Sequence, residues 1–237
     1  EVIERCIEIA MQAPTGSNLQ GWYFMVVTDP DQRAQIAKLY RKGQQAYYKL
    51  IQEHPARFSQ DNSRLLRRDK LVESSAYLAG NLQRVPVLII PCIEREMAEV
   101  PHWAAVAEHT SVQQASLYGS IIPAAWSLML ALRSRGLGSS FTTFHLFHEK
   151  EAAKILGIPS NVMQTSLLPV AYFKGKDFRP ANRRPGGTIN TKGSRNNSID
   201  CNSRDVGRWV TKPKSACPPR TCLGIRRADS RRTSIWT

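Results

Sequence analysis

The chain has 237 residues and an apolar fraction of 42%, enough for one sizeable core. No apolar run is read as approaching the eighteen or so residues that cross a bilayer, and no secretory leader is read at the amino terminus, so a cytoplasmic protein without a membrane partner is expected. The formal charge of +14 raises nucleic acid as a partner, but residues 186–237 hold eleven Lys/Arg against three Asp, so eight of those charges sit in the last stretch. Of the five cysteines, Cys6 and Cys92 lie in apolar segments and Cys201, Cys217 and Cys222 in the tail. That spacing gives neither a disulfide framework nor a zinc signature.

In chain order, Val2, Ile3, Cys6, Ile9, Ala10 and Ala13 fall at helical spacing, and Pro14 is expected to stop that helix. Residues 13–22, Ala-Pro-Thr-Gly-Ser-Asn-Leu-Gln-Gly-Trp, form a polar turn run ahead of the strand expected over Trp22–Val27. Its Thr15, Ser17, Asn18 and Gln20 supply donors and acceptors, and Gly16 is expected to let a backbone N–H approach a ligand. The same residues also make ordinary turns. Asp29-Pro30 reads as a cap and first-turn proline opening a helix as far as Ile51. A second helix follows through Leu65, Leu71 and Leu78. Its Arg64, Arg67, Arg68 and Lys70 read as a solvated face or subunit contact before a nucleic-acid stripe, because no aromatic residues interleave with them for bases to stack on.

Residues 85–92 are a continuous apolar strand, and residues 93–110 lose all period, as a lid or surface loop does. Residues 111–135 give the longest helix signal, apolar nearly all round, with Pro123 expected to kink it or free a carbonyl. Gly136-Leu137-Gly138 reads as its tight exit, before Ser139, Ser140, Phe141, Thr142 and Thr143. A short helix over residues 149–156 closes at Gly157, and residues 162–173 read as a strand interrupted at Pro169. His145, His148 and Glu149 lack the spacing of a zinc-binding helix, so no metal is expected.

Three stretches together resemble the FMN-dependent nitroreductase family: Ala13-Pro14-Thr15-Gly16-Ser17-Asn18 with Gln20 and Trp22; the long apolar helix with Gly136-Leu137-Gly138-Ser139; and residues 167–172 followed by Arg183-Arg184-Pro185. The paired Thr142 and Thr143 are similar to deiodinase-like members. Gly21 stands where the family most often has Pro. The resemblance covers residues 1–185. It implies an α+β, three-layer fold with a central, mostly antiparallel sheet flanked by helices, normally an intertwined homodimer. It also implies a flavin site in which Pro14, Thr15, Gly16, Ser17, Asn18 and Gln20 line the ribityl chain and one ring edge. Thr142 and Thr143 would stand at the opposite edge, with Arg183 and Arg184 on the phosphate, where a guanidinium fork can hold two oxygens. No acid or base is nominated. The family's Arg-rich element ahead of the first helix is not found in this chain, and the expectation is that the amino-terminal phosphate-binding element is missing.

Residues 186–237, rich in Gly, Ser, Asn, Arg and Pro, are expected to be a separate disordered tail and read as an out-of-frame translation product. The function expected is an FMN-dependent oxidoreductase reducing a small nitro, quinone or similar acceptor with NAD(P)H. The competing class is a basic RNA- or membrane-associated binding module without redox activity. A flavin-fragmenting or storage role is a third.

Overall fold

The computed structural model describes residues 1–53, 62–95 and 110–175. The chain divides into a unit Glu1–Lys176 and a unit Asp177–Thr237; the second, with the expected tail and Arg183 and Arg184, lies outside the described residues. So does most of the irregular segment, residues 96–109.

Among the described residues, five α-helices and five strands alternate unevenly. Helix α1 (Val2–Ala10) leads through the polar turn to β1 (Trp22–Val27), then α2 (Pro30–Glu53), α3 (Asn62–Asn81) and β2 (Val87–Glu94). Helix α4 (Thr110–Arg133) is followed by β3 (Leu137–Ser139), α5 (Glu149–Leu156), β4 (Val162–Gln164) and β5 (Leu168–Tyr172). The sheet is antiparallel throughout, in the order β1-β2-β5-β3, with β4 also pairing β2.

Strand β2 is the centre because its residues are apolar on both faces, and the two-residue period sends them to different layers. Leu88, Ile90 and Cys92 pack with Ile36 and Tyr40 of α2 and Ala152 of α5. Ile89 packs instead with Cys6 of α1 and Leu128 and Leu132 of α4, and Ile93 with Leu117 and Ile121 of α4. The result is a three-layer α+β fold with helices on both faces of the sheet. Pro91 is tolerated inside this central strand because β5 pairs residues 87–89 and β4 pairs residues 92–94. It sits in the gap between them, where its carbonyl accepts from Thr165 N and Oγ1 at 3.0 and 2.8 Å and a missing N–H costs no ladder bond.

Local signals act much as expected at α2, where Asp29 Oδ1 accepts from Gln32 N at 2.8 Å and caps the helix. Other expectations are corrected. Helix α1 ends at Ala10, before Pro14 is reached, in a turn closed by Ala13 N donating to Ala10 O at 3.1 Å. Leu137–Ser139 is an edge strand on β5 as well as a turn exit, with Gly136 taking the left-handed φ of 78°. The strand expected over residues 162–173 is two strands, broken at 165–167 and not at Pro169, which lies buried within β5 opposite Leu88. The membrane expectation also changes: residues Gln114–Arg133 form a helix long and apolar enough to span a bilayer by length and composition. Ser116, Ser120, Pro123 and Ser127 interrupt the run but barely dilute its average. In this fold it packs on α1, β2 and β3 as a core helix, which passes the same test.

Candidate functional site

The turn between α1 and β1 holds Thr15 as a half-buried residue and Ser17, Asn18 and Gln20 as exposed ones. A short 3-10 turn over Gly16–Asn18 gives this segment its shape. Ser17, Asn18 and Gln20 have φ of 51°, 53° and 53°, the left-handed region that costs a side-chain-bearing residue free energy. They are the three non-glycine residues with positive φ among the described residues. Such strain persists only where neighbouring contacts overdetermine it, and it concentrates at ligand-holding segments.

Two sets of contacts fix it. Thr15 Oγ1 accepts from Gln20 N at 3.1 Å, and Asn18 Oδ1 accepts from Gln20 Nε2 at 2.9 Å, closing the loop on itself. Gly16 N then donates to Ser120 Oγ of α4 at 2.9 Å, and Ser120 Oγ donates in turn to Ser116 O at 2.6 Å. A Cβ on Gly16 would run into Ser116 Oγ, so glycine lets the loop pack closely on α4 without turning that hydroxyl aside. The N–H expected to face a ligand is thus committed to the protein. What remains outward, without a partner among the described residues, is the Ser17 hydroxyl, the Asn18 amide N–H groups and the Gln20 amide oxygen.

Thr142 and Thr143 stand on a different part of the fold. Thr142 bridges to Leu167, just ahead of β5, with its N–H donating at 3.1 Å and its carbonyl accepting at 2.7 Å. Its side chain is half-buried and its Oγ1 lies 2.8 Å from Tyr40 Oη of α2; Thr143 is exposed. The following 3-10 turn, Phe144–His148, presses on α2 so closely that a Cβ on Gly43 would meet the Phe144 carbonyl oxygen at 1.9 Å. Tyr40 and Tyr47 close around the Phe144 ring at centroid distances of 5.4 and 5.3 Å.

His145 and His148 part company. His148 Nδ1 pairs with Glu151 Oε1 at 3.1 Å, whereas His145 is fully buried with neither ring nitrogen hydrogen-bonded among the described residues. Burial pulls the His145 pKa down to about 4, so the ring is neutral at ordinary pH. Burial likewise pushes the Cys92 thiol up to about 12, with Glu149 adding to it, which makes that cysteine inert packing.

No hydrogen bond joins residues 14–20 to residues 142–143 among the described residues. The first group is anchored on α4 and the second on α2 and on Leu167 just ahead of β5. A cavity of about 300 Å³ beside β1, lined by Tyr23, Met25, Cys92, Ile158 and Val162 among others, includes none of the expected site residues. Sequence reading missed Tyr40, which looks like any apolar-face helix residue, and the Ser116/Ser120 pair. Serines four apart in an apolar helix, ahead of its proline, were the available signal.

This arrangement, a three-layer α+β domain whose strained polar loop rides on an apolar core helix, defines the class. The model of the nitroreductase family matches residues 1–172, and the chain belongs to that family. It is similar to the iodotyrosine deiodinase of Thermotoga neapolitana, with 25% identity over 166 residues, 70% of this chain and 73% of that one. Among solved structures it is similar to an oxidised iodotyrosine deiodinase bound to FMN and 3-iodo-L-tyrosine, with a TM-score of 0.53 and 20% identity over 81% of this chain and 88% of that one. A BluB-like flavoprotein of Clostridium difficile 630 gives a TM-score of 0.55 and 19% identity over 77% and 84%. The two structural likenesses speak to the fold.

Proposed function

We propose that the chain is an FMN-dependent oxidoreductase that passes electrons from NAD(P)H to a small oxidised acceptor of nitro, quinone or similar chemistry. The observation that carries this is the 14–20 loop of a nitroreductase-family chain, holding three side-chain-bearing residues in left-handed backbone with unpaired polar groups outward. Those groups suit FMN: the Ser17 hydroxyl and Asn18 amide for ribityl oxygens and ring carbonyls, and Gln20 Oε1 for a donor. Bound FMN supplies the two-electron exchange; the chain binds it, orients it and keeps water from its face. Pro14, Thr15 and Gly16 shape the loop, Thr142 and Thr143 take the opposite ring edge, and Arg183 and Arg184 are proposed for the phosphate.

We propose that the chain works as a homodimer, a reading that suits the separate anchoring of the two groups. We read each site as the 14–20 loop of one subunit meeting Thr142 and Thr143 of the other. Helix α4 supports this with Tyr118, Trp126 and Leu130 exposed along one stripe, Trp126 at 58%. A mixed dimer of an Asn18→Ala subunit and a Thr142→Val subunit then keeps one site with both wild-type FMN affinity and wild-type potential. A tight site carrying the potential of the Thr142→Val variant would place each site within a single chain. A second reading, reductive removal of iodine from an iodinated tyrosine, is favoured by the deiodinase relative and the paired threonines. Bleaching of the FMN bands by NAD(P)H, followed by reoxidation with a nitroarene, a quinone or 3-iodo-L-tyrosine in turn, separates the acceptors. A full-length preparation that stays colourless in excess FMN rejects the proposal.

A further inference from the structure

Behind Thr142 stands a tyrosine, and either of the two hydroxyls could donate to the other. The Thr142 backbone is held in place, because both its N–H and its carbonyl are committed to Leu167. Only its hydroxyl remains, 2.8 Å from Tyr40 Oη. Two hydroxyls close one hydrogen bond with one of their two protons, and the other proton must find an acceptor elsewhere.

The surroundings of the two oxygens are unequal. Tyr40 is 1% exposed and packed among core residues, and Oη has no second partner among the described residues. Were Thr142 the donor, the phenolic proton would be stranded in the core, a loss folded proteins avoid. Thr142 is half-buried, so its own proton has an outlet. Burial also raises the Tyr40 pKa, which keeps the phenol protonated and able to donate.

We propose that Tyr40 donates to Thr142 Oγ1 and so fixes the Thr142 hydroxyl as a hydrogen-bond donor toward the cofactor edge, making Tyr40 a positioning residue. This rests on the reading above that Thr142 borders FMN. A donor held from behind favours the redox form with more electron density on the acceptor it meets. The pair therefore acts on the flavin potential more than on flavin affinity.

The test measures potential, FMN dissociation constant and melting temperature for wild type, Tyr40→Phe, Thr142→Val and the double variant. Tyr40→Phe is expected to shift the oxidised-to-reduced equilibrium at least about tenfold, about 30 mV for a two-electron couple, while FMN affinity changes less than about threefold. In the Thr142→Val background it should add nothing, because the relay is already cut. Site-specific 3-fluorotyrosine at position 40, a stronger donor of nearly the same shape, should move the potential the opposite way and serves where Tyr40→Phe does not fold. A lowered melting temperature with an unmoved potential, or an equal shift with and without Thr142, overturns the assignment. A wild-type chain that takes up no FMN ends the functional reading and this assignment together. A wild type that binds FMN with a potential indifferent to Tyr40 ends only the assignment.

Discussion

Residues 14–20 and residues 142–148 are both short, polar connections between regular elements, and the fold holds them in opposite ways. The first is propped from outside: its backbone is strained, its internal hydrogen bonds are local, and one N–H ties it to α4. The second is gripped from behind: Thr142 is locked to Leu167 and Tyr40, the Phe144 carbonyl lies against Gly43, and His145 is sealed in the core. A loop of the first kind can trade contacts for a ligand, while one of the second presents a hydroxyl in one fixed direction.

The largest expected effect falls on the gripped segment. Gly43→Val drives a side chain into the Phe144 backbone, which cannot rotate away, and should cost about 3 kcal/mol by urea denaturation. A loss under about 1 kcal/mol would mean that this turn is as pliable as the other. His145 gives the next. Its folded pKa of about 4 lies below the unfolded value of 6.5, so the unfolded chain binds the extra proton first. Its contribution is complete above pH 6.5 and is lost as the pH falls toward 4, by about 3 kcal/mol. His145→Leu should flatten stability across that window, and an unchanged pH profile would show that the ring is reached by water.

Effects on the propped loop are smaller and bear on binding. Asn18→Ala should weaken FMN about tenfold in a fluorescence titration with little change in melting temperature, about 1.4 kcal/mol of binding. Gly16→Ala meets only the rotatable hydroxyl of Ser116 and should cost about 1 kcal/mol. Ser17→Gly relieves a left-handed serine and should stabilise the apo chain by up to about 1 kcal/mol, sharpening the contrast with Gly43.

Much of the fold was legible. Trp22–Val27, the cap at Asp29, the long helix α4 and the short α5 follow from composition, period and punctuation, and β2 from an unbroken apolar run. The split of residues 162–173 was not, because Pro169 carries the familiar strand-breaking signal while the actual break at 165–167 arises where β2 changes partners. Likewise, the polar loop could be picked out by its residue types, but not the fate of each polar atom within it.

The sequence by itself determined the alternation of layers, the family resemblance and the placing of small polar residues between α1 and β1, since these depend on local propensity and two- or three-to-four-residue periods. Only the tertiary structure decided that Gly16 serves α4, that Gly43 admits the Phe144 carbonyl, and that Tyr40 stands behind Thr142 across a separation of 102 residues. Contacts between distant segments depend on how layers pack, and packing leaves no period in the chain.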